Sequence, residues 1–124
     1  MTPNLEAVDQ VAVDLSELLT RLESDRDLLQ VLYDTFADQS AKTMTNLKRA
    51  CERDNFLDVQ RHAYTLQGAL ATLSCLRAKA CGARLEWAAS RYDRDTVAME
   101  MKRLEHELGI AYAVLERTCM EVAA

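Results

Sequence analysis

The chain has 124 residues, a net charge of -5, 3 glycines and 1 proline. The acidic balance argues against nucleic-acid binding and against a polybasic membrane-surface module, and no apolar run approaches the roughly 20 residues of a membrane span. With 49% hydrophobic residues and so few backbone breakers, the sequence predicts one all-α domain of long helices and short loops.

Residues 1–12 have weak periodicity and are expected to form a tail or lead-in, with the domain proper over 13–124. The first residues lack the basic and apolar regions of a signal peptide, so a cytoplasmic protein is expected. Asp14 is a good N-cap for a short helix carrying Leu15, Leu18, Leu19 and Leu22. Ser24 is the expected cap of the next helix, over 25–53. Its stripe is Leu29, Leu32, Phe36, Met44, Leu47 and Ala50, spaced by three or four except across Ser40. Asp54 and Asn55 break it. A third helix is predicted over 56–73 with Val59, Ala63, Leu66, Leu70 and Leu73 inward, and Ser74-Cys75 mark a tight connection. The fourth, over 76–91, turns Ala78, Gly82, Leu85 and Ala89 inward. After a polar turn, Asp95 is the expected cap of the last, over 95–120, whose stripe runs from Val97 through Met101, Leu104, Leu108, Ala111 and Leu115 to Val122. Each long helix has a single apolar stripe and needs partners. The breaks near 54, 74 and 93 favour an antiparallel up-down four-helix bundle with a short extra N-terminal helix over a coiled-coil dimer, and a monomer is expected.

Cys51, Cys75, Cys81 and Cys119 form no Cys-x-x-Cys pair, and neither histidine stands at zinc-finger spacing from them. Reduced packing residues are the expected reading, with redox or metal chemistry as the alternative. No metal and no cofactor is assigned.

The segment Ala63-Tyr64-Thr65-Leu66-Gln67-Gly68 resembles the central motif of the histidine phosphotransfer (HPt) family, Ala-His-x-Leu-Lys-Gly. The likeness extends over about residues 14 to 118. It includes Leu19-Thr20-Arg21-Leu22, Asp25, Leu28-Leu29, Phe36, Leu47-Lys48-Arg49-Ala50, Leu73-Ser74-Cys75-Leu76 and Arg84-Leu85-Glu86. The resemblance implies a four-helix bundle that docks receiver domains of response regulators beside its third helix. In that register Tyr64 stands where the phosphate-accepting histidine would be, Gln67 where a lysine would be, and Ser74 in place of a common glycine.

These replacements change the chemistry. A relay histidine offers a neutral ring nitrogen near pH 7, and its phosphoramidate passes the phosphoryl group on readily. A tyrosine phenol keeps its proton and is a poor nucleophile, and its phosphate ester is too stable for easy return to a carboxylate. Without the lysine, a cation that could offset phosphoryl charge is gone. His62 could substitute in a shifted geometry, but two residues along a helix is about 200° of rotation, which turns it toward the core stripe. His106, between Leu104 and Leu108, is expected to face solvent.

Tyr64 lies about 160° from Leu66 around the helix, opposite the core. Arg61, Tyr64, Gly68, Ala71 and Cys75 are placed on that outer face as partner-binding residues, with Gln60 and Gln67 flanking. Glycine inside a helix costs about 0.8–1 kcal/mol relative to alanine. Gly68 therefore marks close approach, either of a partner or of another part of this chain. The functional expectation is a non-catalytic, pseudo-phosphotransfer adaptor or inhibitor in bacterial two-component signalling, not an enzyme, whose partner is a receiver domain or a hybrid sensor kinase. The alternatives are active phosphotransfer through His62 and a helical interaction protein unrelated to phosphorelay.

Overall fold

A computed structural model describes residues 11–123, of which Val122 and Ala123 are described as backbone only. The lead-in expected over 1–12 therefore falls outside the described residues except at Val11 and Ala12, and so does the side chain of Val122. The described residues form α1 (Leu15–Arg21), α2 (Arg26–Glu52), α3 (Phe56–Thr72), α4 (Leu76–Ser90) and α5 (Arg94–Ala123), with no strand among them. None of these helices is long and apolar enough to cross a membrane.

Short polar side chains start the helices. Asp14 accepts a hydrogen bond from the Glu17 amide at 3.0 Å, Asp25 from Leu28 at 3.0 Å and Asn55 from Asp58 at 3.2 Å, each satisfying an amide that has no partner within its helix. Two expected caps are corrected. Asp25, not Ser24, caps α2, because Ser24 lies in the left-handed region at φ 56°. Asp93, not Asp95, accepts from the Thr96 amide at 3.1 Å, and Asp95 sits in the first turn of α5. Non-glycine residues make the turns between the bundle helices: Asp54, Ser74 and Tyr92 take φ 51°, 55° and 56°. All three glycines sit inside helices instead.

The helices α2, α3, α4 and α5 run up and down around one core, α3 between α2 and α4, and α5 between α4 and α2. Val59, Ala63, Leu66 and Leu70 of α3 meet Ala78, Leu85 and Ala89 of α4 and Leu104, Leu108 and Leu115 of α5 in a single buried cluster. At 1.5 Å per residue, α2 and α5 are about 40 and 45 Å long, against about 26 Å for α3. The short α1 sits at the α3–α4 turn, where the Asp14 amide donates to the Ser74 carbonyl at 2.9 Å and Arg21 donates to the Thr72 carbonyl at 2.8 Å. Leu18 of α1 is fully buried there.

Polar residues inside this bundle are all partnered among the described residues. Ser40 interrupts the apolar stripe of α2 yet is buried, because its hydroxyl shares a short hydrogen bond with that of Tyr112 on α5. Tyr33, absent from the expected stripe, is buried and donates to Glu116 at 2.7 Å. The four thiols are free, and no group of metal-ligating side chains stands among the described residues.

The glycines at 82 and 68 have opposite roles. Gly82 faces α3, and a Cβ built on it would lie 3.0 Å from Cγ of Gln67, so glycine is what lets α4 approach. Around Gly68 nothing lies within 4 Å of such a Cβ. Gly82→Ala should destabilise the domain by about 1 kcal/mol, the packing conflict exceeding the gain in helix propensity. Gly68→Ala should stabilise it by about 0.8–1 kcal/mol. Urea unfolding of both variants checks the pair, and changes of equal sign would show that packing does not separate them.

Candidate functional site

Helix α3 presents one face to the core and one to solvent. Val59, Ala63, Leu66 and Leu70 are buried, while Tyr64 is 70% exposed and Arg61, Gly68 and Ala71 are exposed with it. These four recur at intervals of three and four residues, so they form one stripe along the helix. Leu57, four residues before Arg61 and 66% exposed, extends the stripe by one turn. It was not among the expected site residues. The signal that could have found it is an apolar side chain standing on the polar side of the helix.

Beside this stripe runs a groove of about 490 Å³ between α2 and α3, lined by Gln39, Lys42 and Thr43 on one wall and Thr65, Gly68 and Thr72 on the other. The Thr72 hydroxyl donates to the Gly68 carbonyl at 3.1 Å, holding the helix together where glycine would loosen it. Nothing in the described chain packs on Gly68, so close approach within the chain does not account for this glycine. Gly109, in α5, is equally open. What sets Gly68 apart is its place between Tyr64 and Ala71, at the edge of the groove.

Two expected site residues stand differently from the sequence reading. Cys75 is not on the outer face. Helix α3 ends at Thr72, the chain turns at Ser74, and Cys75 begins α4 fully buried, with burial pushing its thiol up to about 12. Extending the α3 periodicity past its end produced the misplacement. Gln67 is half-buried and turned toward α4, donating to Glu86 at 2.9 Å and to the Ala63 carbonyl at 3.2 Å. Its amide is occupied within the chain and is not offered at the surface. Gln60 is half-buried at the flank, as its position implied.

His62 is half-buried, about 200° around the helix from Tyr64, and His106 is exposed on α5. Neither imidazole shares the stripe of Tyr64. The cation that the stripe does carry is Arg61, held loosely by Asp58 at 3.5 Å on the surface. Lys42, on the facing wall of the groove, pairs with Asp38 at 3.2 Å, also in solvent. Such exposed pairs are weak and easily exchanged for other partners. The site is thus an exposed phenol amid small and apolar side chains, with mobile positive charge at its margins.

The architecture is similar to that in the crystal structure of histidine-containing phosphotransfer protein B (HptB) from Pseudomonas aeruginosa PAO1. The two agree with a TM-score of 0.82 at 19% sequence identity, over 89% of this chain and 96% of that one. No protein-family model and no curated protein matches the sequence. The fold is therefore that of an HPt-like helical bundle with an extra N-terminal helix.

Proposed function

We propose that this chain is a non-catalytic HPt-like adaptor or inhibitor of phosphorelay signalling. It docks a receiver domain, or the receiver of a hybrid sensor kinase, through the outer face of α3. Tyr64 occupies the place of the phosphate-accepting histidine. The observation that carries this reading is the exposed stripe Leu57, Arg61, Tyr64, Gly68 and Ala71, which has a phenol at its centre and no imidazole on it.

Tyr64 and Leu57 supply apolar area, and tyrosine is enriched among the residues that dominate binding energies. Gly68 and Ala71 keep the stripe low on the C-terminal side of Tyr64, so a partner's backbone can approach the helix there. A receiver held there has no acceptor facing its phosphoryl group, so binding occludes the receiver without discharging it. The missing lysine is consistent with this, since position 67 is turned to Glu86 rather than toward a bound phosphoryl group.

Incubation with radiolabelled phospho-receiver domains of the source organism, followed by separation of the proteins, tests the chemistry. The native chain should carry no acid-labile label, while Tyr64→His should gain some. Label on the native chain that disappears in His62→Gln would overturn the reading and restore His62 as the acceptor.

A further inference from the structure

We propose that the cleft between α4 and α5 is a binding site for a phosphate-bearing small molecule, on the side of α4 away from α3 and independent of the docking face. The cleft has a volume of about 530 Å³, within the range of small-ligand pockets. Arg77 and Arg84 enter it from α4, and Lys102, Arg103 and His106 from α5, with Glu107 also in the lining. The chain as a whole is acidic at -5, so this gathering of cations is not an average property of its surface.

The arginines are positioned before any ligand arrives. Glu100, 1% exposed, accepts from Nε of Arg84 at 2.7 Å and from Nη1 of Arg103 at 3.2 Å. Glu107 accepts from Nε of Arg77 at 2.6 Å and from its Nη2 at 3.2 Å. The Arg84 Nη2 group reaches Cys81 Sγ at 3.2 Å. A guanidinium carries five N–H donors in a planar fork. The bonds recorded among the described residues leave Nη1 of both Arg77 and Arg84 without a protein acceptor. Lys102 has no ion pair among the described residues and stands one turn from His106.

Charge and geometry select the ligand class. Arg77, Arg84, Lys102 and Arg103 outnumber Glu100 and Glu107, leaving a positive surplus that a phosphate dianion would neutralise. Arginine forks bind phosphate oxygens in pairs, and a lysine adds a point charge that can adapt to the ligand. The carboxylates of Glu100 and Glu107 hold the guanidinium groups in place, so little ordering remains to be done on binding. The mostly apolar walls, which include Cys81, leave room for an organic group attached to the phosphate.

The test is an amide NMR titration of the full chain at low salt, with sodium pyrophosphate and adenosine 5′-monophosphate as probes. Saturable shifts should appear in α4 and the first half of α5, around Arg77, Cys81, Arg103 and His106. Lys102→Gln should weaken binding about tenfold, one lost charge-assisted contact. Lys79→Gln removes the same charge from the exposed surface of α4 and should leave the affinity unchanged. Equal melting temperatures for the two variants show that the fold is intact. The proposal is overturned by shifts that do not saturate, by shifts equally strong at Lys42 and Lys48, or by equal effects of the two variants. Saturation by a glutamate-rich peptide but by neither phosphate probe would also overturn it and make the cleft a protein-docking surface.

Discussion

Gly68→Arg should abolish binding of the receiver domain while leaving the bundle as stable as before or slightly more so. A Cβ added at Gly68 meets nothing within 4 Å, so an arginine side chain can leave the helix there without displacing the backbone or its neighbours at the branch point. Arginine is also a better helix former than glycine by most of a kcal/mol. Loss of binding could not then be ascribed to unfolding, and a melting curve run beside the binding measurement makes the separation explicit. The side chain would project between Tyr64 and Ala71 and hold the partner off the helix. Tyr64→Ala should weaken the complex by about 2 kcal/mol, roughly thirtyfold, if the phenol is the central contact. Calorimetry with both variants against one receiver reads the effect. A receiver that binds Gly68→Arg as tightly as the native chain must use another face.

Glu100→Ala should be among the most damaging single changes in the domain. Glu100 is buried within α5 and holds the Arg84 guanidinium, whose side chain is itself only 12% exposed, at 2.7 Å. Removing the carboxylate leaves a nearly buried cation without its counter-charge, which costs about 3–5 kcal/mol. That is a large part of the roughly 5–15 kcal/mol by which domains are stable. Glu100→Gln, which keeps an acceptor oxygen, should lose less. Replacing both partners together, Glu100→Leu with Arg84→Met, should fall within about 1 kcal/mol of the native protein, because no charge is then stranded. Urea unfolding of the three variants would show this order. Equal losses in all three would mean that the pair contributes through packing alone.

The helices were legible in the sequence because the apolar stripes repeat at helical spacing and short polar side chains stand at their starts. Among the buried residues that the stripes left out, several carry polar groups. Ser40, Tyr33 and Glu100 are buried because partners on other helices satisfy them, and one helix's periodicity carries no information about its neighbours. The outer face of α3 was legible for the same reason as the core, since both follow from rotation about one axis. The sequence reading failed at Cys75, where the helix had already ended at Thr72. It also failed to give the direction of Gln67, which Gly82 and Glu86 on α4 set. The α4–α5 cleft was invisible, because its cations come from two helices separated in sequence and brought together by the fold. His106 looked isolated until Arg77 and Arg84 were placed across from it.

Competition is the most direct measure of the central claim. An active histidine phosphotransfer protein and its phosphorylated receiver are mixed with increasing amounts of this chain, and the transfer rate and the label on each protein are followed. If α3 docks the receiver without accepting its phosphate, transfer should slow in proportion to the chain added, no label should reach the chain, and Gly68→Arg should not compete. An unchanged transfer rate for every receiver of the source organism, or label accumulating on the chain itself, would contradict the account.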